Sequence, residues 1–159
     1  FEISDKYEHR AKNCLTCETQ GACCQDAHFV NVHISRLEAV AIQKTLDKLP
    51  LHKQFEVNAR VDAAIEKYSL TTEDDTYAQT FACPLFEQGT GCLVHNAGKP
   101  VPCIMHACYE READLPPDEL QTAAEKRIGA LNVQTYRRSL PMLPLPLALR
   151  NQTNPAGAK

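Results

Sequence analysis

The sequence predicts a small, mainly α-helical domain, with irregular cysteine-rich loops and at most short strands between its helices. Three observations lead there. Three stretches repeat apolar residues at the helical period. Two regions beside them concentrate cysteine, glycine and proline, which favour turns over regular elements. The chain has 159 residues, 43% of them apolar, enough for one domain with a core of its own.

Residues 1–13 read as a polar lead-in or a frayed helix, and residues 14–33 as a first cysteine loop. A helix is predicted from Ser35, because "SRLE" has the capping-box form, with Glu38 reaching back to Ser35. Leu37, Val40, Ala41, Leu46 and Leu49 follow at helical spacing, and Pro50 marks the stop. A second helix is predicted over 51–68, with Val57, Val61, Ala64, Ile65 and Tyr68 on its apolar face. The short link predicts antiparallel neighbours. "SLTTEDDTYAQTF" is a polar connector, and residues 83–108 form the second cysteine region, where "CLVH" suits a short strand.

A last helix is predicted over 116–138. Pro116 and Pro117 are tolerated only in its first turn. Leu120, Ala124, Ile128 and Leu131 form its inner face. The rest, "PMLPLPLALRNQTNPAGAK", is proline-rich and aperiodic, and is expected to be an extended arm lying on the domain, or disordered at its end. The chain thus divides into a cysteine-cluster domain, 1–140, and a tail, 141–159. The sequon at Asn151 is read as a chance match.

Composition excludes several functions. A net charge of −3 provides no basic field for nucleic acid. The cations Lys126, Arg127, Arg137 and Arg138 are offset by Asp118, Glu119 and Glu125, as on a solvated helix face. No apolar run reaches membrane-spanning length. The visible start, "FEISDKYEHRAK", has no signal-like stretch. No nucleophile elbow surrounds Ser4, Ser35 or Ser69. The acidic run Glu73, Asp74 and Asp75 reads as a solvated loop rather than a hard-cation site.

Eight cysteines are the unusual feature. Their density is below that of disulfide-stapled mini-proteins, and the chain is long enough to fold without bridges. Clustered thiols in such a chain point to the reducing cytoplasm and to a metal ion as partner; no protein partner is indicated. Cys14 and Cys17 have CxxC spacing, which lets a tight turn aim two sulfurs at one ion. A redox pair with this spacing needs a strand before it and a helix directly after, and neither is evident. Cys23 and Cys24 are adjacent. Neighbouring side chains in an extended strand point to opposite sides. The pair is therefore expected to link two sites, or to supply one ligand and one core residue. Cys83, Cys92, Cys103 and Cys108 complete the set. Eight thiols suit two tetrahedral zinc ions, or an iron–sulfur cluster and a second site. Cys103 and Cys108 can share an ion only if the chain turns between them. His95 and His106 are possible further ligands, each three residues after a cysteine; His28 is a candidate supporting residue, ahead of His33, and His9 and His52 have weaker claims.

The run Cys14-Leu15-Thr16-Cys17, then Cys23-Cys24, then "ISRLEAVAI", and later "CPLFEQGTGCLVHNAGKPVPC" resembles the YkgJ-like cysteine-cluster (CxxCxxCC) family. Its members are described as zinc- or iron-chelating domains. The resemblance spans residues 14 to about 108 and implies metal ligation by Cys14, Cys17, Cys23, Cys24, Cys83, Cys92 and Cys103. Lys99-Pro100 and Ile104 stand where the family usually has Arg-Pro and an Arg. One branch resembles flagellin lysine methylases, which are thought to use an iron–sulfur centre, so catalysis or electron transfer is the alternative to chelation. The expectation is a metal-binding protein with zinc as cofactor, or else iron or a 4Fe–4S cluster.

Overall fold

The computed structural model describes residues 2–25, 30–73 and 75–153. Its helices are α1 (Glu2–Tyr7), α2 (Arg36–Leu46), α3 (Leu51–Lys67), α4 (Val101–Met105), α5 (Asp118–Tyr136) and α6 (Leu145–Thr153). The strands are two residues each: β1 (His33–Ile34) pairs antiparallel with β4 (Leu143–Pro144), and β2 (Phe86–Glu87) with β3 (Gly91–Cys92). The architecture is mainly helical, as the periodicities predict.

The capping box at α2 is complete. Ser35 Oγ accepts from the Glu38 amide at 3.3 Å, and Glu38 Oε2 accepts from the Ser35 amide at 2.9 Å. The buried face of α2 is Ala39, Ile42 and Leu46; of the expected stripe Leu46 is buried, Leu37, Val40 and Leu49 are half-buried, and Ala41 is exposed. In α3, Val57, Val61, Ala64 and Ile65 are buried as predicted.

The two helices do not make the direct antiparallel pair that their short link suggests. Each packs mainly on α6. The expected arm is therefore corrected: residues 143–153 pair with β1 and then enter the core. Leu145, Leu147, Ala148 and Leu149 are buried there together with Ile34, Ile42, Val57, Phe81 and Leu85. The helix tolerates its proline because Pro146 lies in the first turn, where no intrahelical amide bond is lost.

A second, smaller core joins α1, α4 and α5 through Ile3, Val101, Ile104, Met105, Ala124 and Ile128. The inner face of α5 continues to Asn132 and not to Leu131, which is exposed. Asn132 Oδ1 accepts from the Leu37 amide at 3.1 Å, so α5 satisfies an open amide at the start of α2.

The β2–β3 hairpin closes over three residues with Gly89 at φ +80°, a left-handed position that favours glycine. Of "CLVH" only Cys92 is strand, together with Gly91 before it; the chain then turns through residues 93–98.

Candidate metal centre

The first cysteine loop is a succession of tight turns. Asn13 Oδ1 caps the 3-10 turn Cys14–Thr16 by accepting from the Leu15 amide at 2.9 Å. A second 3-10 turn, Ala22–Cys24, follows Gly21, whose φ is +79°. A Cβ at Gly21 would fall 2.2 Å from the Phe86 ring, so glycine is needed both for the turn and for the close approach of the loop to β2. A 3-10 turn, Glu8–Arg10, precedes Cys14, and a plain turn follows Cys17. The strand–motif–helix frame of a redox CxxC is not present there.

Two backbone bonds bring the late cysteines to this loop. The Cys83 amide donates to the Cys24 carbonyl at 2.7 Å, and the Lys12 amide donates to the Cys108 carbonyl at 2.7 Å. Cys92 ends β3, and Cys103 lies within α4. The helix stops at Met105, so the chain turns before Cys108.

Cys23 and Cys24 do not point to opposite sides. Folded in a 3-10 turn, their sulfurs lie 3.9 Å apart. A different late thiol acts on each: Cys108 on the ionisation of Cys23, and Cys83 on that of Cys24. Cys14 interacts with Cys23, Cys17 and Cys108, while Cys103 interacts with Cys92, Cys24 and Cys23. All eight cysteines are free thiols; Cys23 is exposed and the others are half-buried.

This crowding disfavours negative charge on sulfur. Burial raises the pKa of Cys14, Cys92, Cys103 and Cys108, and neighbouring sulfurs add to the effect. Cys23 is raised first by its contact with Cys24 and then by burial. The Cys24 thiol is pulled down by Cys23, but its contact with Cys83 and its burial outweigh this and push it up to about 12. Opposing influences are few. The Gly21 amide donates to Cys14 and the Val94 amide to Cys92. Lys99 favours ionisation of Cys92 and Cys103, and Lys12 that of Cys108.

His95 is exposed, with Nδ1 3.9 Å from Glu8 Oε1, and His106 is exposed at the end of α4. His9 and His52 are exposed as well. His33 is buried between the Asn31 carbonyl (2.6 Å) and Thr76 Oγ1 (2.8 Å), stacked on Tyr77; burial lowers its pKa. His28 lies outside the described residues, as does Asp74. Glu73 is exposed, and Asp75 caps a turn by accepting from the Tyr77 amide.

Sequence reasoning overlooked the residues around the sulfurs. Lys99 pairs with Glu8 at 3.1 Å, and both side chains are largely buried. A lysine between glycine and proline carries no pattern that assigns it to a thiol cluster. Phe86 lies in the region read as turns, and nothing in the sequence marks its ring as the seat of Gly21.

Among the described residues, no group of three or more His, Cys, Asp or Glu side chains is arranged so that it could hold a metal ion as it stands. Nor is any helix there long and apolar enough to cross a membrane. Compared with family models, with curated proteins and with solved structures, the chain matches none.

Proposed function

We propose that the two cysteine regions form a thiolate centre for a soft or borderline metal ion, with zinc as its occupant. One observation carries this reading: cysteine segments about 60 residues apart come together, the Cys83 amide donating to the Cys24 carbonyl at 2.7 Å, with Cys83 and Cys108 near enough to shift the Cys24 and Cys23 thiols. Burial alone does not account for that crowding. An apolar core takes up one cysteine as readily as a small aliphatic residue, but these eight lie only partly inside and face one another.

The donor set fits such an ion. It is all sulfur, and thiolate ligands select zinc, copper(I) or iron–sulfur clusters over magnesium or calcium. The 3.9 Å between Cys23 and Cys24 is close to the edge of a tetrahedron of thiolates around zinc, about 3.8 Å for bonds of about 2.3 Å. Ligation needs the remaining side chains to draw inward by rotation about χ1 and each ligating thiol to give up its proton. The bound cation then supplies the positive charge that Lys12 and Lys99 provide only in part. The protein's work on this reading is to hold, deliver or sense the ion.

The test is elemental analysis with a visible spectrum, on protein purified without oxygen. Colourless protein containing zinc supports the proposal. Brown protein containing iron and sulfide replaces zinc by an iron–sulfur cluster on the same thiols. Protein that retains no metal, and takes up neither added zinc nor cobalt, overturns the proposal.

A further inference from the structure

We propose that the Cys23–Cys24 dipeptide is a thiol-modification site, oxidised reversibly by small disulfides of the glutathione class. The exposed Cys23 takes up the small thiol, and Cys24 displaces it by closing a disulfide with its neighbour. The proposal stands apart from the thiolate centre, because it concerns the two thiols when they hold no ion.

Local geometry assembles the pair. Adjacent side chains of an extended chain diverge, but in the 3-10 turn Ala22–Cys24 the two sulfurs lie 3.9 Å apart. Gly21 sets that turn. Its φ is +79°, and its carbonyl accepts from the Cys24 amide at 2.8 Å. Its close approach to the Phe86 ring holds the turn in place. A bond between neighbours closes no loop, so it needs no further ordering of the chain. A bond from either sulfur to Cys83 or Cys108 depends on the early and late loops staying together.

Access divides the roles. Cys23 is the one exposed cysteine of the eight, and Cys24 is half-buried. Thiol–disulfide exchange starts at the sulfur that an incoming disulfide can reach. In the first step the Cys23 thiolate attacks one sulfur of oxidised glutathione. The bond between the two glutathione sulfurs breaks, and the leaving thiol takes the proton that Cys23 gave up. In the second step the Cys24 thiolate attacks the Cys23 sulfur. The mixed disulfide breaks, and the second glutathione leaves with the proton of Cys24. The dipeptide loses two electrons and two protons, and oxidised glutathione gains them. Both thiols ionise sparingly, so the exchange is slow at neutral pH and shows itself in its end products.

Adjacency also makes the bond easy to undo. Neighbouring Cα atoms are about 3.8 Å apart across a trans peptide, whereas ordinary disulfides span about 4.4–6.8 Å between Cα atoms. Closure draws the sulfurs from 3.9 Å to about 2.05 Å and twists the peptide whose N–H bonds Gly21. Strained disulfides are the readily reduced ones. Excess reduced glutathione therefore opens the bond again. While closed, it withholds both sulfurs from a metal ion.

The experiment incubates the full chain with oxidised glutathione to completion, with a chelator present so that the thiols are free whatever the centre holds. Remaining thiols are alkylated and the chain is cleaved after glutamate. Cleavage at Glu18 and Glu38 leaves Cys23 and Cys24 as the only cysteines of fragment 19–38. Mass spectrometry should find that fragment two hydrogens lighter and unalkylated, and alkylated at both cysteines once excess reduced glutathione is added. The Cys24→Ser variant should instead keep one glutathione on Cys23. Fragment 19–38 recovered as a free dithiol, bridged to another fragment, or carrying glutathione in the unsubstituted chain overturns the proposal. So does a closed bond that reduced glutathione leaves intact, or a Cys24→Ser chain without the adduct on Cys23. None of these outcomes bears on whether the chain binds metal, which elemental analysis decides separately.

Discussion

Around Phe81 the chain is held by apolar contact. Ile34, Ile42, Val57, Leu85, Leu145 and Leu147 are nearly inaccessible to water there, and α6 fills the seam between α2 and α3. Between Cys14 and Gln25 the only buried residue is Gly21. That loop is fastened by a few backbone bonds, by the seating of Gly21 on Phe86, and by its sulfurs. The helical part can fold on hydrophobic burial alone. The sulfur loops bury little and lack that source of stability.

On the proposed thiolate centre, removing the metal should break this comparison open most visibly. A structural zinc ion contributes on the order of 10 kcal/mol to the segments it organises. The stripped protein should keep its helical circular dichroism while residues 12–25 and 106–115 lose hydrogen-exchange protection. Equal loss of protection in α2, α3 and α6 would mean that the two regions fold as one unit.

Substituting Phe81→Ala probes the other region. Its fully buried ring belongs to the larger core, so about 3–5 kcal/mol of stability should be lost. Chemical denaturation should show a similar loss with and without metal. A loss seen only in the stripped protein would show that the loops support the core.

The Gly21→Ala variant tests the loop's seat. A left-handed backbone with a side chain costs about 1–3 kcal/mol, and here the added Cβ also meets the Phe86 ring. Metal affinity, measured by competition, should fall about tenfold or more while core stability stays put. Unchanged affinity would show that the loop is not positioned through Phe86.

A cap substitution, Ser35→Ala, should cost about 1 kcal/mol in thermal unfolding, the usual worth of an N-cap. It removes the acceptor for the Glu38 amide and should leave metal affinity unchanged.

The sign of the pH dependence also separates the metal-free and loaded states. The thiols of Cys14, Cys23, Cys24, Cys92, Cys103 and Cys108 are raised above their usual value near 9. The folded, metal-free chain therefore keeps protons that the unfolded chain releases. The stability this confers is complete below about pH 8.5 and falls as the pH rises through the alkaline range, to about 12 for Cys24. Metal binding runs the other way, because ligation needs thiolates and weakens as the pH falls. Urea titrations of stripped protein under reducing conditions at pH 7 and pH 10 check the first statement. Greater stability at pH 10 would contradict it.

Local sequence determined a good deal of this molecule. The Ser35–Glu38 box, the apolar face of α3 and the turn residues of the cysteine regions act over a few neighbours, and a reader of the chain can find each of them. Tertiary structure decided the rest. Whether "PMLPLPLAL" is an arm or a core helix depended on whether α2 and α3 left a seam for its leucines. Whether Asn132 is a surface residue or a cap depended on where α2 begins beside it. The meeting of the two cysteine loops, through the Cys83 amide on the Cys24 carbonyl and the Lys12 amide on the Cys108 carbonyl, joins residues about 60 and more positions apart. Spacing along the chain describes what neighbours can do; it carries no record of which distant surfaces meet, because that is settled by packing the whole core at once.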